Sequence, residues 1–501
     1  MNASVPALDW AALSPVLVAA GALLGVLLLE AAWPRVPRVL LDAVALAGPV
    51  GAGLAVAWLA RDGQTRATVC ASPPGGVAST CSFVASPLTL TLQAVAVAAT
   101  LGCLLLALDG PGARDRAAHH ALMLAALTGT LALSGARDLI TLVVAFETAS
   151  LPAVGLVALR RDAQGAQGAI TLLLTAVSSL GVLLLGVAML YLATGRLHLD
   201  AIAVALSDET LPRSVRAVAA VGALLVVAGI GFKLSVVPFH LWTPDTYAGA
   251  PLPVAAFLSV VSKTAGAAAA VVVLGVGLPV LADVWAPVVG GLAVVTMTVG
   301  NLVALRQRVA VRLLAWSTVA QAGWVLVPLA SAGDATKARA AVSASLGYLV
   351  AYVAASLAVF AVVVLVARHS RDGEEHTLDA YRGLARREPV ACLVLGLGLA
   401  ALAGLPPGVV GLVAKLVAVR PLVDTGTWFV AAAAAANVAL ALAYYVRWAA
   451  LVVAPAEGDA DVPTWRVRPA EGLVLGGAAA AVGVLSVLPQ AVAGLVGGAL
   501  R

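Results

Sequence analysis

The feature that most constrains this chain is a succession of apolar runs, each around 20 residues long, that continues from one end to the other. At 1.5 Å per residue such a run crosses about 30 Å of hydrocarbon. No water is present there, so every backbone polar group must be paired within its segment, which a helix achieves and an isolated strand does not. Composition agrees: the 501 residues are 62% hydrophobic and 11% charged, whereas soluble domains run at about 45–50% and about 25%. The longest polar stretch, Arg368 to Glu388, is too short and too charged to bury a core, and reads as a loop. The chain therefore has no room for a soluble catalytic domain.

The fold class implied is an all-α polytopic membrane protein with about 14 spans, near 11–30, 39–60, 87–108, 118–134, 138–159, 169–193, 215–241, 253–275, 285–305, 312–330, 341–367, 390–419, 428–452 and 470–498. The residues before the first run lack a basic leader segment, so that run is expected to remain as a span. Their acidic Asp9 favours an outer N-terminus. In that orientation 17 cations fall on inner connections and 10 on outer ones, as the positive-inside rule requires. Both termini then lie outside. The net charge of +5 is a matter of topology and lipid head groups rather than nucleic acid. Cys103 and Cys392 sit inside apolar runs and read as small core residues. Cys70 and Cys81 share the Pro/Gly/Ser-rich connection after the second span. Two alternatives stand for them: a disulfide, if that loop faces an oxidising compartment, or two free thiols.

Two spans are interrupted in related ways. The seventh carries Lys233 and then Pro238, and the twelfth is broken by Gly404-Leu405-Pro406-Pro407-Gly408 before Lys415. Proline removes a backbone donor and clashes with the preceding turn, so both helices should break at Pro238 and at Pro406 and Pro407. Paired breaks point to inverted repeats with ion sites beside them. They lie five spans apart, which divides the chain into residues 1–117 (spans 1–3), a first five-helix repeat at 118–275, a second at 276–452, and a last helix in 453–501.

The sharpest functional signal is segregation of lysine. Only four lysines stand against 26 arginines, and Lys233, Lys263 and Lys415 all fall within spans. A desolvated lysine gives up its proton where arginine keeps it, so lysine suits positions that load and release protons. A charge at the bilayer centre costs about 2.5–3.5 kcal/mol on insertion scales, which favours interior, partnered positions. Glu147, midway between Asp138 and Arg160, is expected to pair with Lys233. The competing reading is a static ion pair joining two helices. Lys263 has no acidic partner in view, and Lys415, close to Arg420, has the alternative of reaching the interface. Ser178, Ser179, Thr264, Gln321, Tyr348 and Tyr352 are candidates for a water-assisted relay, although hydroxyls and amides in such helices commonly bond only the backbone. No CxxC cluster, dinucleotide loop or haem-like His pair is present in the sequence.

The segment Gly231-Phe232-Lys233-Leu234-Ser235 through Pro238-Phe239-His240-Leu241-Trp242-Thr243-Pro244-Asp245-Thr246-Tyr247, continuing to Leu258-Ser259-Val260-Val261-Ser262-Lys263, resembles the signature of chain N of bacterial NADH-quinone oxidoreductase, respiratory complex I. Further similarity lies at Phe146-Glu147, Arg312-Leu313-Leu314-Ala315-Trp316-Ser317, Arg382-Gly383-Leu384-Ala385 and Leu402-Ala403-Gly404-Leu405-Pro406-Pro407 through Lys415, so that it covers most of 120–450. What the resemblance implies is a fourteen-helix antiporter-like subunit in the bacterial cell membrane, coupled to quinone reduction. It puts Glu147, Lys233, Lys263 and Lys415 on the proton path. Its partners would be other membrane subunits, including sister antiporter-like chains, together with lipids and quinone. NADH, FMN, iron–sulfur clusters and quinone would belong to partner subunits, with no cofactor or metal on this chain. Gln321 stands where the family usually has histidine, and a glutamine does not titrate, so the relay there must use water or be weaker. Rival readings are a subunit of a sodium/proton antiporter or membrane-bound hydrogenase, and a proton-inactive scaffold.

Overall fold

Caps and prolines decide where the apolar runs become helices. The computed structural model describes residues 8–33, 35–71, 80–108, 115–333, 335–370, 377–455, 465–488 and 490. In chain order its helices are α1 (Trp10–Ala32), α2 (Arg38–Asp62), α3 (Pro87–Ala107), α4 (Arg116–Gly135), α5 (Leu139–Ala158), α6 (Ala163–Thr194), α7 (Leu199–Leu206), α8 (Arg213–Leu234), α9 (Trp242–Gly249), α10 (Leu252–Val272), α11 (Ala282–Ala304), α12 (Ala310–Leu326), α13 (Ala335–His369), α14 (Leu384–Arg387), α15 (Pro389–Ala403), α16 (Val409–Asp424), α17 (Trp428–Val453) and α18 (Pro469–Val487). Among the described residues 13 helical segments are long and apolar enough to cross a membrane. The two half-helices α15 and α16, separated by the break at residues 404–408, together supply one more.

Asp9, Ser86, Asp138 and Asp162 cap α1, α3, α5 and α6 by accepting first-turn N–H groups, which satisfies donors that lipid cannot. Asp162 is why α6 starts at Ala163 rather than 169. α7 is a short additional helix that the hydropathy pattern did not separate, and α8 stops at Leu234 instead of continuing to 241. The last span, expected to reach 498, is described to Val487. Residues 1–7 and 491–501 lie outside the described residues, so the placement expected for the termini does too.

Two opposite ends of the bundle can be followed by their contacts. At one, a two-stranded antiparallel hairpin, β1 (Arg66–Ala71) and β2 (Thr80–Ala85), pairs Cys70 with Cys81, and a disulfide joins them. Of the two alternatives for these cysteines, the structure has the bonded one. The hairpin ties the start of α1 to the end of α4. The Asp9 N–H donates to Thr68 at 2.9 Å, Arg66 pairs with Asp9 at 3.2 Å, and the Arg137 N–H donates to the Ser82 carbonyl at 2.9 Å. At the other end, Arg116 and His120 of α4 hold Asp42 of α2 at 2.8 Å, and Arg447 donates to the carbonyls of Leu305 and Gln307. This is the end with the arginine-rich connections.

Burial grades inward. α1, α2, α6 and α18 keep most of their surface outward, whereas α10 is buried from Val254 to Val272 and carries Lys263 through the middle of the molecule. α12 and α13 flank it. Close approach of backbones at the second break rests on glycine, since a β-carbon on Gly411 would overlap the Ala401 carbonyl whereas one on Gly396 meets nothing within 4 Å. Gly411→Ala should therefore destabilise the protein by about 2 kcal/mol through overpacking, and Gly396→Ala should not. Thermal denaturation of the detergent-solubilised complex, followed for both variants, checks the contrast.

Candidate functional site

Both helix breaks are built alike. α8 closes with Ser235 in the left-handed region, at φ 65°, and the Val236 N–H reaching back to the Gly231 carbonyl at 2.8 Å. α15 closes with Gly404 at φ 84° and the Leu405 N–H reaching the Ala400 carbonyl, also at 2.8 Å. This is the C-terminal cap in which the last carbonyls turn outward and need donors. Pro238 and Pro407 follow at the same spacing, each after a cis peptide bond. The second half-helix, α16, has its Val410 N–H on Ser486 of α18 at 3.1 Å.

Into each carbonyl end comes a lysine. The Lys415 ammonium donates to the Leu402 and Ala403 carbonyls at 2.8 and 2.7 Å and lies 5.4 Å from the centre of the Trp324 ring. The Lys263 ammonium, arriving from α10, donates to Ser235 Oγ at 2.5 Å and to the Lys233 carbonyl at 3.3 Å, and lies 4.6 Å from the Trp242 ring centre. The C-terminal end of a helix carries partial negative charge, and aromatic faces add cation–π attraction, so both cations are held without a carboxylate. The alternative that Lys415 reaches the interface does not apply, since it is 4% exposed.

Lys233 does not make the ion pair with Glu147 expected of it. Its ammonium donates to the Ala149 carbonyl and Ser150 Oγ, each at 2.9 Å. Both acceptors belong to α5, in the turn that precedes Pro152. Glu147 is half-buried, and its Oε1 has no hydrogen-bond partner.

The smaller polar residues divide. Ser259 of α10 meets Tyr352 at 2.9 Å, Ser356 at 2.7 Å and Thr318 at 3.3 Å. Next to Thr318, Ser317 bonds Tyr445. Tyr348 donates to Gln321 Oε1, while Gln321 Nε2 donates to Tyr445 at 3.0 Å and to the Leu402 carbonyl at 3.2 Å, the oxygen that Lys415 also holds. Tyr348, Tyr352 and Gln321 thus stand together between Lys263 and Lys415. Ser178 does not join them: it is exposed and bonds the Leu174 carbonyl of its own helix. Ser179 donates to the Gly229 carbonyl of α8 and Thr264 to the Val260 carbonyl of α10, which are backbone roles. Sequence reasoning missed Ser235, Thr243, Ser259, Ser317, Thr318, Ser356 and Tyr445. Their common signal is a hydroxyl in a largely apolar segment, which many unrelated residues share. Among the described residues no three of His, Cys, Asp and Glu gather where they could share a metal ion.

A buried file of lysines anchored at two broken helices in an all-helical membrane bundle defines an antiporter-like membrane subunit. The family model described as NADH:quinone oxidoreductase/Mrp antiporter matches residues 136–441. NADH-quinone oxidoreductase subunit N 2 of Streptomyces griseus is 41% identical over 91% of this chain and 84% of its own length. NADH-quinone oxidoreductase subunit N of Salinispora tropica is 43% identical over 88% and 85%. A chain in respiratory complex I from Thermus thermophilus superposes with a TM-score of 0.76 at 28% identity, covering 95% of this chain and 97% of its own. The Mrp complex from Dietzia sp. shares the fold, with a TM-score of 0.79 at 24% identity. The chain belongs to the NADH:quinone oxidoreductase/Mrp antiporter family, among the subunit N chains of NADH-quinone oxidoreductase.

Replacing Lys415 by Met leaves the Leu402 and Ala403 carbonyls without their donor in a buried site. The expected cost is about 2 kcal/mol, read as a lower denaturation midpoint of the solubilised complex. Lys263→Met, which leaves the Ser235 hydroxyl with its existing hydrogen bond to Thr243 at 2.5 Å, should cost less.

Proposed function

We propose that this chain moves protons across the cell membrane as a subunit of NADH-quinone oxidoreductase, using Glu147, Lys233, Lys263 and Lys415, while NADH, FMN, iron–sulfur clusters and quinone are handled by its partner subunits. The observation that carries this reading is that three buried lysines have neutral oxygens, not carboxylates, as their acceptors. A buried ammonium fixed by a carboxylate is a structural pair that resists change. One held by carbonyls and hydroxyls can pass its proton on and leave a neutral amine that those same groups tolerate.

Lys263 lies against the carbonyl of Lys233, so a charge arriving at one is felt by the other across a low-dielectric interior. Glu147, unpaired at Oε1, can take up or release charge beside Lys233 without first breaking a salt bridge. The cluster of Ser259, Tyr352, Thr318, Tyr348 and Gln321 then spans the distance from Lys263 to the carbonyl shared with Lys415. In this reading residues 118–275 and 276–452 are two inverted repeats, with 1–117 and the last helix at their sides. The arginine-rich end faces the cell interior, and the termini and the Cys70–Cys81 hairpin face outward. Relatives named as a subunit of NADH-quinone oxidoreductase and as part of respiratory complex I support this reading, in which other membrane subunits, lipids and, through the complex, quinone are the partners.

The test is NADH-driven proton pumping measured beside quinone reduction in membrane vesicles. Lys233→Ala and Lys263→Ala should each lower both rates together, by about 10-fold or more, with the complex still assembled. Unchanged pumping in both variants would leave these lysines as helix-joining groups only. Glu147→Gln, which can no longer take up or release charge beside Lys233, should lower both rates as well, with the complex still assembled because no hydrogen bond to Oε1 is lost.

A further inference from the structure

Beside the cap of α8 lies a pocket that the path between the lysines does not use. Gly231, Leu234 and Val236 form one wall, Ala270 of α10 a second, and Val289 and Leu292 of α11 a third. Every residue that lines it is aliphatic or glycine. Leu292 is the one among them that is not buried. It stands one turn from Val288 and one turn from Val295, which are 41% and 47% exposed, so the mouth opens onto the outward face of α11. Leu292 also lies near the middle of the 23-residue α11, which sets the mouth near mid-depth in the membrane.

About 320 Å³ of space, open mouth included, lies within, which is room for the last few carbons of a chain. A wall without polar groups gives water nothing to bond. Left empty, the pocket forfeits dispersion contacts for every atom that lines it. What surrounds the mouth at mid-depth is hydrocarbon. Size, chemistry and depth together call for one occupant, the end of a lipid acyl chain.

We propose that this pocket is a binding site for the end of a lipid acyl chain, which enters past Leu292 and braces the cap of α8. Gly231 and Val236, both on the pocket wall, are the two ends of the cap hydrogen bond at 2.8 Å. Leu234, also on the wall, is flanked by Lys233 and Ser235, whose carbonyl and hydroxyl take the Lys263 ammonium. Ala270 stands two turns along α10 from Lys263. The occupant therefore touches both sides of that seat, the cap that supplies the oxygens and the helix that brings the lysine. The site goes beyond the proton path and stands whether or not Lys263 carries a proton.

The experiment uses the whole complex in phosphatidylethanolamine vesicles, a fraction of whose lipid carries a photoactivatable diazirine either at the end of one acyl chain or beside the head group. Labelled residues are then located by mass spectrometry. The chain-end probe should label residues around 227–236 and 289–292, and the head-group probe should not. Val289→Phe fills the pocket and should cut chain-end labelling there about 10-fold by overpacking against the occupant. Labelling at the exposed Leu184 and Leu185 of α6 should stay as in the wild type. Leu292→Ala widens the mouth without adding bulk to the core, and should raise labelling of the pocket. Hydrogen exchange of residues 231–237 reads the brace: stripping lipid from the wild type should speed it about 10-fold. In Val289→Phe, where the ring takes the place of the chain, stripping should leave it unchanged. Pocket labelling no heavier than at Leu184 and Leu185, or unchanged in both variants, would overturn the site. So would labelling by neither probe, the result of a neighbouring subunit seated over the mouth. Exchange that ignores lipid in the wild type would overturn the brace.

Discussion

An ammonium seated on the open carbonyl end of a half-helix is the interaction on which the rest of this structure depends. A membrane helix that stops midway exposes its last carbonyls where no water can satisfy them. At α15 the deficit is met by Lys415, and at α8 by Lys263 together with the Trp242 indole. The break and the lysine solve each other's problem: the helix end needs donors, and the cation needs oxygens. Because the oxygens are neutral, the arrangement holds charge without locking it, which is what a proton-carrying site requires and a salt bridge does not provide.

The placement of α10 follows from this. Lys263 reaches the end of α8 from α10, which is buried from Val254 to Val272. Around it the hydroxyls of Ser259, Thr318, Tyr352 and Ser356 satisfy one another across three helices. A polar cluster at bilayer depth is tolerable only when each member has its partner. The same economy places Gln321 between Tyr348, Tyr445 and the Leu402 carbonyl, so that the glutamine organises hydroxyls around itself instead of titrating.

Much of this was legible in advance because hydropathy and proline act locally. Spans, both breaks and the three buried lysines follow from runs of apolar residues, two proline-containing interruptions and the scarcity of lysine. The partner of Lys233 did not follow. Opposite charges invite pairing on paper, but in the folded chain the Ala149 carbonyl and Ser150 hydroxyl of α5 are the groups within hydrogen-bond reach of the Lys233 ammonium. Ser178 and Ser179 are adjacent and read alike, yet one helical step turns the first outward and the second onto α8, a difference that depends on the rotation of α6 against its neighbour. The Cys70–Cys81 question was likewise open until the hairpin paired the two residues directly.

From the residues alone came the membrane class, the approximate number of crossings, the positions of the breaks and which lysines are buried, because each depends on the cost of putting a given group into hydrocarbon. The tertiary structure decided which oxygens those cations hold, which hydroxyls form the cluster between Lys263 and Lys415, and that Tyr445 from a distant helix meets Gln321. Those are contacts between segments far apart in the chain, set by helix rotation and depth, and single polar residues in apolar runs carry no mark of the neighbour they will meet.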